Sequence, residues 1–456
     1  MAPIDNIVRS STSLLERYYR YIAKTAAFHG AAATVEYFEP PMRLPELDAK
    51  VTEFLAPARA ALYELGDHGG LPIRVLDLRS NPGTQTTKTF ASRVIVARAI
   101  RYIQDTGRQL ILFSPSSGNK AVALRDAVAG ALAAGLVAPD QLRVVTLTPA
   151  QTVSKLRRSV LSEDPKLRAL NPVLVLQGGP PESVKQVGNE FQRMFRQAVT
   201  SELRLWHSLR LENYQSGDLV RAFFDYEFGH ASREDLRTVH AHAVSSAYGL
   251  LGYSRGVEML KDHGYRVSKP QFLLVQHMAT CDMVLHMLHD TFDRANIPKY
   301  AQDRDGTWVQ SASAHFPARI SSPEETLEHT FYTHRPATAP EMTGLIRRDG
   351  GTGIVVSMLE CLQHYNKTRE LLAKTPIDIP EQPQRLNEWS LVMAMTGVLN
   401  AIDRKLIRNA DGVTIHASGT YTHDDYATIP DEWLNYVTTP QQVLDEVLAG
   451  GSLQTA

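Results

Sequence analysis

The chain has 456 residues, with 48 Lys and Arg against 49 Asp and Glu and a formal net charge of −1. That balance gives no electrostatic argument for nucleic acid or for an anionic membrane surface. Only two cysteines occur, Cys281 and Cys361, so no disulfide framework is expected, and no apolar run approaches the ~20 residues that span a bilayer.

The opening MAPIDNIVRSS carries charges where a secretory signal needs an apolar stretch, so a reduced, cytoplasmic protein is expected. Residues 9–36 begin with Ser/Thr cap candidates and repeat apolar residues at helical spacing; a second helix is expected over 46–64. Both read as a helical extension over 1–70. From LPIRVLDLR (71–79) the pattern changes. A strand, the turn NPGTQT and a helix from Thr86 to Tyr102 follow one another.

The same alternation recurs with QLILFSP (109–115), the turn SSGN and the helix KAVALRDAVAGALAAG. LRVVTLTP (142–149) with PAQTVSKLRRSVL, and NPVLVLQGG (171–179) with PESVKQVGNEFQRMFRQAV, complete four such units. Strand and helix alternating in this way build a parallel sheet covered by helices. Further buried strands are expected at 269–277, 353–357 and 412–419, and a loop-rich excursion at 293–352. The fold class is therefore α/β in two lobes. A large lobe is expected over 71–105 and 205–456, with a smaller α/β lobe over 106–204.

Four polar turns stand where ligands sit in such sheets, at the carboxyl ends of strands. They are NPGTQTTK, ending in Lys88; Ser116-Ser117-Gly118-Asn119, about 30 residues on; Ser245-Ser246-Ala247-Tyr248-Gly249; and Ala417-Ser418-Gly419-Thr420-Tyr421. With these turns in this order, the chain resembles the fold-type II pyridoxal-phosphate enzymes, the tryptophan synthase β-subunit-like group. It is most similar to the threonine synthase and cysteine synthase branch. In that family an N-P-x-G-S-x-K turn precedes the cofactor lysine, and NPGTQTTK is one residue longer. The family's S-x-G-N turn is matched by SSGN.

The resemblance implies pyridoxal 5'-phosphate as cofactor, Lys88 as its Schiff-base lysine and an amino acid as substrate. Ser116, Ser117 and Gly118 would bind the substrate carboxylate, and Asn119 the cofactor's ring oxygen. The turn Ser245–Gly249 would hold the phosphate with hydroxyls where the family has glycines, and Ser418 would face the pyridine nitrogen. A neutral hydroxyl there goes with β- or γ-elimination and replacement, the activity of a lyase or transferase. A homodimer is implied as well.

Plainer readings exist for each feature. Lys88 could be a solvated lysine in a first helical turn, and SSGN a helix cap. Ser245–Gly249 could be an ordinary loop, and Ser418 a strand-end turn with Thr420 as its substitute. Lys120 opens a helix and is expected to face solvent or a phosphate. The run 210–230 is expected as an amphipathic surface helix, with Tyr214 or Arg221 available to a substrate entrance. His277 and Cys281 lie at helical spacing in a run that also holds His286 and His289, and His240 and His242 precede the serine turn. No H-E-x-x-H or C-x-x-C accompanies them, so core or surface positions are expected and no metal. Two other functions fit the same turns: a non-catalytic relative acting as a regulatory or scaffold partner, and a cofactor-free α/β protein binding a phosphorylated ligand.

Overall fold

A computed structural model describes residues 7–25, 38–116, 118–199, 203–208 and 210–452. Two sheets organise them. The strands β1 (Ile7–Ser13), β2 (Arg59–His68), β3 (Leu71–Asp77), β8 (Thr238–Ala243) and β9 (Gln271–His277) join Gly351–Val356 and Gly412–Ala417 in a seven-stranded sheet. Its order is β1, β2, β3, Gly412–Ala417, β8, β9, Gly351–Val356. The first two pairings are antiparallel and the rest parallel. The strands β4 (Leu110–Pro115), β5 (Leu142–Pro149), β6 (Val173–Leu176) and β7 (Arg204–His207) form a parallel five-stranded sheet with Asn435–Val437, in the order Asn435–Val437, β6, β5, β4, β7.

The residue types explain the layers. LILFSP, LRVVTLTP and VLVL are buried at every position, as strands covered by helices on both faces must be. The helix Lys88–Thr106 is buried along most of its length, and Gly107, left-handed at φ 68°, closes it by donating to Ile103 O. The helix Ser390–Asp403 is apolar nearly all round (SLVMAMTGVLN) and packs with the strands of the seven-stranded sheet in a second core.

Sequence expectation and structure part in four places. Residues 7–13 form β1 instead of a helix start, and only Leu14–Arg17 and Tyr19–Lys24 are helical there; 26–37 lie outside the described residues. The helix expected over 46–64 stops at Leu55, and Arg59–His68 is a strand, so the first 70 residues supply two strands as well as helices. In place of the helix expected over 149–161 stand a 3-10 segment, Ala150–Lys155, and a single turn, Val160–Glu163. The run 210–230 is two helices, Leu211–Asp218 and Val220–Phe228, which turn much of their surface inward, Arg221 included. Among the described residues no helix is long and apolar enough to cross a membrane. No group of three or more His, Cys, Asp or Glu gathers there to hold a metal.

Candidate active site

The turns after β3, β4, β8 and Gly412–Ala417 converge on one cavity of about 410 Å³. Lys88 opens the helix after β3, at the carboxyl end of a parallel strand, where helix-terminal amides collect. Its turn is stitched to the next strand's end: Thr87 N donates to Ser418 O at 2.8 Å, and Thr86 bridges Gly419.

The hydroxyls around Lys88 have a structural role. Thr84 Oγ1 and Thr89 Oγ1 lie 2.6 Å apart, and Asn81 Nδ2 donates to Thr89 Oγ1 (3.2 Å) and to Asp126 Oδ2 (2.9 Å). Asn81 Oδ1 accepts from Gly83 N at 3.0 Å. Gln85 takes a left-handed φ of 50°, which accommodates the longer turn.

Lys88 is half-buried, with surface open to the cavity. Burial lowers its amine below the ordinary lysine range; Asp218 and Glu388 pull the other way, and Arg221 adds to the lowering. An amine depressed in this way is available as a nucleophile and a base. Its Nζ stands 6.0 Å from the Tyr214 ring, and Lys120 Nζ stands 5.2 Å from the same ring.

Of the two expectations for Lys120, solvent does not hold: it is buried, lines the cavity and donates to Ser208 O at 3.2 Å. Burial, then the charge of Lys88, holds its pKa well below the ordinary value. Arg221 is fully buried, not on a surface helix. It donates to Asp218 Oδ1 at 2.6 Å and to Thr87 Oγ1.

Asn119 lines the cavity with both ends engaged. Its Nδ2 donates to Glu388 Oε2 at 2.7 Å, and its Oδ1 accepts from Tyr421 OH at 2.6 Å. One hydrogen of Nδ2 is left for a ligand. Ser116 lines the cavity too, and its hydroxyl has no partner. Gly118 sits back from the wall as the cap of the helix Asn119–Ala133, at φ 106°; Ser117 lies outside the described residues.

Ser245 through Gly249 form another wall, leading into the helix Tyr248–Asp262. Ser418 lines the cavity with an unpartnered buried hydroxyl. The structure thus gathers Lys88, Ser116, Asn119, Ser245–Gly249 and Ser418 around one space, and leaves Gly118 behind it.

Sequence reading passed over the residues that buttress the site. Lys155, after β5, donates to Glu328 Oε1 (2.7 Å) and Glu388 Oε2 (2.9 Å), all three buried. No local motif marks this triad, since its members lie 173 and 233 residues apart. His242, expected only at a core or surface position, lines the cavity with neither ring nitrogen partnered. Its place at the end of β8, three residues before the serine turn, was the available signal. His277 closes a strand and Cys281 precedes a separate helix, so helical spacing does not relate them.

Two parallel-rich sheets with a cavity at their strand ends are arranged here as in the fold-type II pyridoxal-phosphate enzyme fold, which the following solved structures share. Threonine synthase from Escherichia coli matches with a TM-score of 0.51 at 14% identity, over 94% of this chain and 83% of that one. Threonine synthase from yeast matches with a TM-score of 0.50 at 10% identity, over 87% and 80%. By sequence the chain belongs to the family described as "Family of unknown function (DUF6002)", whose model matches residues 10–450. No curated protein matches it in sequence.

Proposed function

We propose that the chain is a pyridoxal-phosphate-dependent lyase or transferase. It carries out β- or γ-elimination or replacement on an amino acid bearing a leaving group, with Lys88 as the Schiff-base lysine. The observation that carries this reading is Lys88 itself: the first residue of a helix at a parallel strand's carboxyl end, facing a 410 Å³ cavity, with a depressed amine. The likeness in fold to two threonine synthases supports an amino acid as substrate.

The residues present fit the cofactor. The buried hydroxyls of Thr86, Ser116 and Ser418 line the cavity and find no partner in the protein. Buried polar atoms left open in this way are bonding capacity for a polar ligand. Lys88 and Asn119 would hold the cofactor's aldehyde carbon and ring oxygen, Ser418 its ring nitrogen, and Ser245–Gly249 its phosphate. When bound, the cofactor supplies the electron sink for charge that develops at the substrate's α-carbon.

The chain's own residues do the rest. Lys88 Nζ takes the α-proton as a neutral amine. Ser116 Oγ, beside the N-terminus of the helix Asn119–Ala133, orients the substrate carboxylate by donating to it. Glu388 and Tyr421 fix the Asn119 amide between them. The segment Thr330–Thr338 lines the cavity, with Thr338 Oγ1 donating to Ser246 O at 2.7 Å. A cytoplasmic homodimer belongs to this same proposal.

The test is direct. Protein mixed with pyridoxal phosphate should develop an absorbance band at the visible edge that borohydride bleaches, leaving an adduct on Lys88 by peptide mass spectrometry. Lys88→Ala should lose the band and lower turnover of O-activated serine, homoserine or threonine by at least about 10²–10⁴-fold. An adduct on Lys120, or a band that survives Lys88→Ala, overturns the assignment.

A further inference from the structure

The turn Ser245-Ser246-Ala247-Tyr248-Gly249 has one glycine, so backbone amides alone make a poor cradle for an anion. The structure surrounds it with other donors. The helix Tyr248–Asp262 runs for 15 residues, and its first amides have no acceptor within it. His242, at the end of β8, is 6% exposed, lines the same cavity, and has no partner at Nδ1 or Nε2. Burial, then Arg221 and Lys88, hold its pKa well below the ordinary value against the opposing pull of the Ala243 backbone, so it is a neutral ring carrying one N–H.

Arg221 lies under the turn. A Cβ on Gly249 would come within 2.6 Å of its Nη1, so that glycine is where the guanidinium passes beneath the helix start. Asp218 and Thr87 take its Nη2, and Nε has no partner. The helix end and the guanidinium both favour negative charge at this spot.

We infer that His242 is a phosphate-binding residue: its ring N–H, with the Ser245 and Ser246 hydroxyls and the helix amides above buried Arg221, takes a phosphate monoester. Side-chain donors here replace glycine-exposed backbone. That the phosphate is the cofactor's rests on the function proposed above; the seat itself requires only the monoester.

The test uses the full chain and three probes: pyridoxal phosphate, pyridoxal, which lacks the phosphate, and inorganic phosphate as competitor. Binding is read by intrinsic fluorescence, and folding by thermal melts. His242→Ala should weaken pyridoxal phosphate by about 10- to 100-fold while leaving pyridoxal unchanged. His242→Gln, which keeps an N–H donor, should recover part of the loss and covers the case in which the alanine variant is unfolded. Equal weakening of both aldehydes in the folded variant, or no change in either, overturns the seat.

Lys88→Ala separates the two claims. If it loses the visible band yet inorganic phosphate still binds in a His242-dependent way, both stand. If wild-type protein forms no Lys88 adduct but binds inorganic phosphate through His242, the cofactor reading fails and the seat survives. An adduct on Lys88 with affinity indifferent to His242 is the reverse result.

Discussion

His277 shows how a single buried side chain ties stability to pH. It sits at the end of β9 with no exposure, its Nε2 near Phe331 O (3.3 Å) and Thr280 Oγ1 (3.0 Å), its Nδ1 without a partner. Burial pushes its pKa down to about 4, and burial does the same for His240. The unfolded chain protonates these rings near pH 6.5, so between pH 6.5 and 4 it binds more protons than the folded one. Stability must therefore rise with pH through that window, and fall on acidification by up to about 3 kcal/mol for each ring. Urea unfolding at pH 7, 5.5 and 4.5 checks this. His277→Gln should flatten the acid-side slope, and a slope unchanged in that variant refutes the assignment.

At the scale of elements, the helix Leu211–Asp218 lies so close to the helix carrying Lys88 that only glycine fits at the contact. A Cβ on Gly217 would stand 2.7 Å from both Cα and N of Ala91. Gly217→Ala gains up to about 1 kcal/mol of helix propensity but must separate two packed backbones, which costs about 1–3 kcal/mol. A net lower urea midpoint is expected, together with weaker pyridoxal phosphate binding, since Ala91 is in the first turn after Lys88. A variant as stable as the parent contradicts this packing.

The same elements show where sequence was informative. From β3 to the helix Ser183–Ala198 the strands, and every helix but the one expected after β5, were readable because apolar runs alternate with polar turns, and Lys88, Ser116 and Asn119 fall on those turns. β1 and β2 were not. IVRSSTS looks like helix caps and RAALYELGDH is rich in helix formers, yet pairing across the antiparallel edge of the sheet decides their state. Tyr214 and Glu388 were unreadable as partners of Lys88 for another reason. Sheet order, with Gly412–Ala417 inserted between β3 and β8, brings them together, and no local pattern encodes that order.

Over the whole molecule, the two lobes meet at a buried ionic knot. Lys155 and Asn119 follow strands of the five-stranded sheet, whereas Glu328, Glu388 and Tyr421 come from segments beside the seven-stranded one. Burial alone would depress the Lys155 ammonium, but Glu328 and Glu388 together hold it well above its ordinary value, and Lys155 in turn keeps Glu328 low against its own burial. Each carboxylate is otherwise satisfied: Glu328 accepts from Thr330 N (3.0 Å), Thr330 Oγ1 (2.9 Å) and Trp389 N (3.0 Å), and Glu388 accepts from Asn119 and Ser390. Removing the cation alone leaves two buried carboxylates without their counter-charge. Lys155→Met should therefore cost about 3–5 kcal/mol, far more than a surface ion pair. Neutralising all three in Lys155→Met/Glu328→Gln/Glu388→Gln should recover much of that loss, because the penalty is an unpaired buried charge and not a lost attraction. Since Glu388 also positions Asn119, the triple variant should regain stability but not cofactor affinity. Unfolding and pyridoxal phosphate titration on the same three proteins test both halves; a triple variant no more stable than Lys155→Met alone would mean that packing, not charge, holds the lobes together.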